Sequence, residues 1–138
     1  MRVKSREGRE KTTIRSFRDL TVWQKSFALV ADIYLLTEQL PKKELFGLSS
    51  QIRRCAVSIP SNIAEGQQRN NTKEFRQFLG IAKGSSAELE TQLLLATKLY
   101  NIDTTQILSD LEEIQRMLQA LLNKLSTLAS PLSTGTGR

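Results

Sequence analysis

Residues 103–128, DTTQILSDLEEIQRMLQALLNKLSTL, decide the fold class. Ile107, Leu111, Ile114, Leu118, Leu121, Leu125 and Leu128 recur at alternating steps of four and three. That spacing lines one side of a 3.6-residue helix with an apolar seam. Glu112, Arg116, Asn123 and Thr127 fall on the opposite, solvated side. Asp103 ahead of the seam, with Gln106 three residues on, has the residue types of a capping box at a helix start. A helix with one apolar seam must bury it against other helices, and the chain upstream supplies three.

A third helix is expected from Asn71 to about Tyr100. Asn71 caps it with Glu74 three residues on, and Phe75, Ala82, Leu89, Leu93, Ala96 and Tyr100 form its seam. A second is expected from about Lys42 to Glu65, with Gly66 as its terminator. Leu45, Leu48, Ile52, Cys55, Ile59 and Ile63 face its core, and Pro60 inside it predicts a kink or local break. The first helix is expected over Thr21–Leu40, stopping before Pro41. Connections of a few residues make consecutive helices antiparallel. The reading is all-α: an up-down-up-down four-helix bundle over residues 18–129. A basic arm (1–17) and a Ser/Thr/Gly-rich tail (130–138), both expected to be disordered, flank it.

At 138 residues, with 39% hydrophobic and 25% charged residues, the chain is one ordinary globular domain. Lys25, Asp32 and Glu38 interrupt the most apolar stretch, so no membrane span is expected. The single cysteine, Cys55, forms no internal disulfide, which points to a reducing cytoplasm. There is no histidine, which removes the commonest general base and metal ligand. No catalytic residue, cofactor or metal site is expected. Glu65, Glu88, Ser58 and Cys55 form at best a nucleophile without a base, and Trp23 and Tyr34 read as core aromatics.

The net charge of +6 is unevenly spread. Arg2, Lys4, Arg6, Arg9, Lys11, Arg15 and Arg18 face only Glu7 and Glu10 in the first 18 residues. The remaining 120 carry 13 basic and 12 acidic groups. The arm therefore reads either as a phosphate-binding element or as a solubilising extension. Lys73, Arg76, Lys83 and Lys98 share one side of the third helix and would add a fixed basic edge. The arm has no aromatic before Phe17, so it offers no base stacking and little sequence specificity.

Several faces exceed the needs of one bundle. The first helix carries two stripes: Leu20, Trp23, Phe27, Val30 and Tyr34, and on the other side Val22, Leu29, Ile33, Leu36 and Leu40. They make either a wide core-facing arc or a core face plus a subunit interface, with Val22, Leu29, Ile33 and Leu36 as the interface candidates. Gly80, Gly84, Ala87 and Thr91 form a small-residue stripe on the third helix, for close packing within the bundle or against a neighbouring copy. Gln51, Arg54, Ser58, Asn62 and Glu65 form a polar stripe on the second, either solvated or a hydrogen-bonded layer at a contact. Arg53 lies among apolar neighbours (Phe46, Val57, Ala64) and is expected to pair with Glu88 or to meet a partner.

The segments Leu20-Thr-Val-Trp-Gln-Lys, Phe46-Gly-Leu, Gln51-Ile-Arg-Arg and Val57-Ser-Ile-Pro-Ser-Asn-Ile-Ala-Glu-Gly66 resemble the four-helix bundle proteins encoded in intervening sequences of bacterial 23S rRNA genes. Glu74-Phe-Arg-Gln-Phe-Leu and Ala82-Lys-Gly-Ser-Ser-Ala-Glu-Leu-Glu90 continue the likeness, which covers about residues 17–128. The resemblance implies a homopentamer around a central channel and no defined catalytic activity. The superfamily is also similar to the accessory variability proteins of diversity-generating retroelements, which bind a reverse transcriptase and its RNA. The partners expected are further copies of the chain, RNA or DNA, and, under the retroelement alternative, a reverse transcriptase. A purely structural interaction scaffold is the other alternative.

Overall fold

The structure, a computed structural model, describes residues 14–129, with the side chain of Ala129 excepted. The arm residues Arg2, Lys4, Arg6, Arg9 and Lys11 and the tail 130–138 lie outside the described residues. Four α-helices follow one another: α1 (Thr21–Thr37), α2 (Leu48–Gln68), α3 (Thr72–Tyr100) and α4 (Thr105–Ala129). Short 3-10 turns at Phe17–Asp19 and Lys42–Glu44 precede α1 and α2, and no strand occurs among the described residues. Helix α2 packs on α1 and α3, and α4 packs on α1 and α3, so each helix has two neighbours around one core. Cross-helix pairs run in opposite numerical sense: Cys55 with Glu88 and Ser58 with Ser85, then Ser86 with Gln115 and Lys83 with Gln119.

The core is built from the seams. Ile107, Leu111, Ile114 and Leu118 are buried, as are Ala82, Leu89, Leu93 and Ala96 of α3 and Ile52, Ile59 and Ile63 of α2. Burying each of the Ile and Leu side chains among them stabilises by about 1.5–3 kcal/mol. The α4 seam leaves the core at its end: Leu121 and Leu125 are partly buried and Leu128 is 64% exposed.

Helix α3 starts where expected, with Asn71 Oδ1 accepting the Glu74 N–H at 3.0 Å, but the reciprocal half of the capping box does not form and the Glu74 carboxylate lies 3.6 Å from Arg69 instead. It ends at Asn101, whose φ of 56° puts it in the left-handed region that Asn tolerates. Replacing Asn71 by Ala should lower stability by about 1 kcal/mol, read as a fall in the urea midpoint at constant m-value. At α4 the expected box does not close. Asp103 Oδ1 accepts from the Thr105 N–H at 3.0 Å, but Gln106 turns away to Asp110 at 3.0 Å.

Three expectations about α2 are corrected. It starts at Leu48 rather than Lys42, because the Glu44 carboxylate turns back to accept the Leu48 N–H at 2.9 Å and caps the helix. A Cβ on Gly47 would come within 2.8 Å of that carboxylate, so a larger residue there would displace the capping side chain. Leu45, expected in the core, is left 49% exposed by this corner. Second, Gly66 does not end the helix. It is buried mid-turn, where a Cβ would lie 2.7 Å from Phe78 Cβ and 2.9 Å from Phe75 Cδ1. Its role is to let α3 cross closely. Third, α2 is continuous through Pro60, which removes the local break from the two outcomes expected there.

The Tyr100 hydroxyl also donates to Glu44, tying the end of α3 to the start of α2. Together with the Leu48 N–H, this donor holds the Glu44 carboxyl below its ordinary value, the Tyr100 contribution being the larger. A carboxyl lowered on folding adds stability above its unfolded pKa and loses it as pH falls through the folded value. The thermal midpoint should therefore drop on acidification below about pH 4, and Glu44→Gln should flatten that part of the profile.

Candidate functional site

The two stripes of α1 have the opposite fates from those expected. Val22, Leu29, Ile33 and Leu36, the interface candidates, are 0–6% exposed in the chain's own core, and Leu40 joins them. The surplus stripe is the aromatic one. Trp23 and Val30 are half-buried, and Phe27 and Tyr34 are 59% and 43% exposed. Tyr34 is thus an outer-face residue rather than a core aromatic, whereas Trp23 lies at the edge, partly buried against the core. A signal for this lay in residue type: the aliphatic stripe suits a dry core, whereas Trp and Tyr carry a polar tip and favour interfaces.

Phe17 packs edge-on to Trp23 at 5.2 Å between centroids, and Trp23 stacks on Phe27 at 4.7 Å. This ladder flanks an open groove between α1 and α2, floored by Val30, Ala31, Val57, Pro60 and Ala64. The groove continues past Val57 into a second concavity lined by Tyr34, Leu45, Phe46, Ser50, Arg53 and Arg54. The outer face of α3 is a second unpartnered surface. Gly80 and Gly84 are exposed, a methyl added at either would meet nothing within 4 Å, and Ile81, Leu94, Leu95 and Leu99 are exposed on the same helix. Close packing within the bundle is therefore not what these two glycines serve.

Arg53 does not pair with Glu88. Its Nε donates to Thr37 Oγ1 at 2.8 Å and its guanidinium lies over the Tyr34 ring at 4.7 Å. Glu88 instead accepts a long contact from the Cys55 thiol at 3.7 Å. Burial, above all, pushes that thiol up, which keeps it protonated and unreactive at neutral pH. The polar stripe of α2 divides. Gln51, Arg54 and Glu65 are exposed, while Asn62 donates to Ser58 O at 2.8 Å and to Ser58 Oγ at 3.0 Å. Ser58 pairs with Ser85 at 2.8 Å, so Ser58 and Asn62 form a hydrogen-bonded layer between α2 and α3 of one chain. Glu65 is engaged with Arg69 at 2.7 Å, and the four groups Glu65, Glu88, Ser58 and Cys55 do not converge on one point. Among the described residues no cluster of acidic and thiol groups is arranged to hold a metal ion, and no helix is long and apolar enough to cross a membrane.

Of the basic candidates, Arg15 and Arg18 sit at the turn where the arm meets the bundle. The N–H groups of Arg15 and Ser16 donate to Asp19 Oδ2 at 2.9 and 3.2 Å, and the Arg18 N–H donates to Ser16 Oγ at 3.1 Å. Those two backbone donors to Asp19 lower its carboxyl below the ordinary value. The turn fixes the arm's exit, and Phe17 clamps it on Trp23. Since Trp23 shares its groove with Pro60 and Ala64, the exit lies towards the end of α2 from which α3 departs. Lys73 and Arg76 stand on that first stretch of α3. Lys73 is exposed; Arg76 is half-buried with its Nε unpartnered among the described residues. Lys83 is farther along, seven residues or about 10 Å of helix beyond Arg76, and donates to Gln119 of α4. Arg15, Arg18, Lys73 and Arg76 are thus brought towards one end of the bundle, and Lys83 is not.

Sequence reasoning missed Phe46, which is 94% exposed on the corner before α2. The Gly47 that follows it was the available sign that this residue stands outside a helix. A search among curated proteins finds no match. The profile of a family described as 23S rRNA-intervening sequence protein matches residues 18–120, covering all of α1, α2 and α3 and most of α4. With that match across most of its length and a four-helix structure beneath it, the chain belongs to the 23S rRNA-intervening sequence protein family.

Proposed function

We propose that this protein is a non-catalytic, oligomeric nucleic-acid-binding accessory protein of the 23S rRNA intervening-sequence type, with RNA as its ligand. The observation that carries the reading is the segregation of charge. The first 18 residues hold seven basic groups against two acidic ones, outside a bundle that is nearly neutral. A cationic arm releases counterions from phosphates without reading bases, so binding is salt-dependent and only weakly sequence-specific. Lys73 and Arg76, near the arm's exit, extend the same surface. In a filter-binding titration at low salt, the full chain should retain RNA, and removal of residues 1–16 should weaken retention and flatten its salt dependence. Absence of binding at low salt, or affinity unchanged by that deletion, would sink the proposal.

The bundle is inferred to be up-down-up-down and to work as a subunit. Opposed registers between α2 and α3 and between α3 and α4 support the topology. The aromatic α1/α2 groove and the small-residue face of α3 differ in character, as expected of a head-to-tail contact that closes into a ring. By analogy with the family resembled, we infer that the ring is a pentamer with a central channel, a particle of about +30 that would attract RNA strongly. Light scattering coupled to size exclusion should give a mass several times that of one chain, and Phe27→Glu should reduce it towards 15.6 kDa. A monomeric wild type rejects the assembly.

The apolar groove also favours a second reading, since proteins rather than phosphates fill such surfaces. Under it the chain is an accessory variability protein docking on a reverse transcriptase, or a scaffold. An adjacent reverse transcriptase gene with a variable repeat supports the retroelement role, and an rRNA operon supports the intervening-sequence role.

A further inference from the structure

We propose that the concavity formed by Tyr34, Phe46, Arg53 and Arg54 is a single-stranded nucleic-acid site, in which one unpaired base stacks on Phe46 and the adjoining phosphate is held by the two guanidinium groups. The assignment rests on the nucleic-acid reading above and places a base contact on the bundle, where the arm supplies none.

Three features carry it. Phe46 is 94% exposed, yet the corner that holds it is stiff: the Glu44 carboxylate accepts from both the Leu48 N–H and the Tyr100 hydroxyl. A large aromatic held outward on a rigid corner contributes nothing to the core and presents a full face for stacking. Arg53 is oriented by its Nε bond to Thr37 at 2.8 Å and by the Tyr34 ring beneath it, which leaves its terminal amino groups without a partner among the described residues. An oriented guanidinium fork matches a phosphate. Arg54, exposed on the same wall, likewise has no carboxylate within ion-pair distance among the described residues. Lys42 and Lys43, exposed on the turn before Phe46, add to the positive potential.

The charges separate this end of the groove from the Trp23 end. There the walls are apolar or neutral, which suits a subunit contact. Two guanidiniums without carboxylates would be costly to bury in a dry protein contact, but are met by the charge of a phosphate. Between an acidic peptide and a nucleic acid, the outward aromatic face favours the latter, because every base offers a π-face to stack.

The test uses the full chain with a fluorescein-labelled twelve-nucleotide oligouridylate and, in parallel, a duplex of equal length. Phe46→Ala should weaken single-strand binding roughly 5- to 150-fold with an unchanged salt slope, and leave duplex binding unaltered. Phe46→Trp should restore it. Arg54→Gln should lower the salt slope by about 0.7, the loss of one single-strand phosphate contact. Thermal melts and light scattering of the same variants keep the reading specific, since a side chain this exposed should alter neither fold nor mass. Unchanged oligouridylate affinity in Phe46→Ala overturns the site while leaving the arm's role intact. A fall in particle mass in that variant overturns it in favour of a subunit contact. Failure of the wild type to bind either probe overturns both the site and the nucleic-acid reading. Displacement of bound oligouridylate by an acidic peptide at a concentration well below that of unlabelled oligonucleotide needed for the same effect assigns the pocket to a protein ligand instead.

Discussion

Leu89→Ala is expected to cost about 2–5 kcal/mol and to bring the bundle close to unfolding at ambient temperature. Leu89 is fully buried on α3, the helix that packs on both α2 and α4, so its loss opens a cavity that neighbours on two sides line. The cost has two parts: the transfer of the lost methyl groups, and the contacts forfeited by a core too densely packed to collapse into the gap. The measurement is a urea titration, in which the midpoint should fall with little change in slope. Leu128→Ala is the matched control. Leu128 belongs to the same kind of heptad seam but is 64% exposed, so its truncation should stay within about 0.5 kcal/mol. Equal effects at the two positions would mean that the core is not where the structure puts it.

Gly66→Ala carries the second large effect, and its sign is the informative part. In an open helix interior, replacing glycine by alanine stabilises by about 1 kcal/mol. At Gly66 the new methyl would lie 2.7 Å from Phe78 Cβ, 2.9 Å from Phe75 Cδ1 and 3.3 Å from the Phe75 carbonyl oxygen. Two of those atoms are close to or part of the α3 backbone, which cannot swing aside as a side-chain tip can. Overpacking of this kind costs about 1–3 kcal/mol, so the net effect should be destabilising. Gly84→Ala provides the contrast, because nothing lies within 4 Å of the added methyl. It should raise the stability of an isolated chain by about 1 kcal/mol. If the α3 face meets a neighbouring copy, the same substitution should also lower the mass seen by light scattering. A stabilised Gly66→Ala protein would contradict the close crossing of α2 and α3.

Much of the bundle was legible in advance. The seams of α3 and α4, the Asn71 cap and the end of α3 at Tyr100 follow from local periodicity and capping chemistry. Gly66 and the start of α2 were misread because both depend on contacts that no local pattern records. A glycine that ends a helix and a glycine that admits a neighbouring helix look alike in sequence, since both positions merely lack a Cβ. Likewise, Glu44 caps α2 through a side chain reaching four residues forward, which no helical period records. The charge division between arm and bundle is pure composition and needed no structure at all.

The sequence by itself determined that the chain makes four amphipathic helices, that their seams share one core, and that most of its excess positive charge lies ahead of the first of them. It also established that α1 carries two apolar stripes. Only the tertiary structure decided which stripe is inside. Helical period says which residues share a face, but the face that is buried depends on where the two neighbouring helices pass. In α1 those neighbours cover Val22, Leu29, Ile33 and Leu36, leave Trp23 at the edge and Phe27 and Tyr34 outward. The same holds for Arg53. Its partner is Thr37, sixteen residues away on the adjacent helix, and that meeting exists only once α1 and α2 are packed.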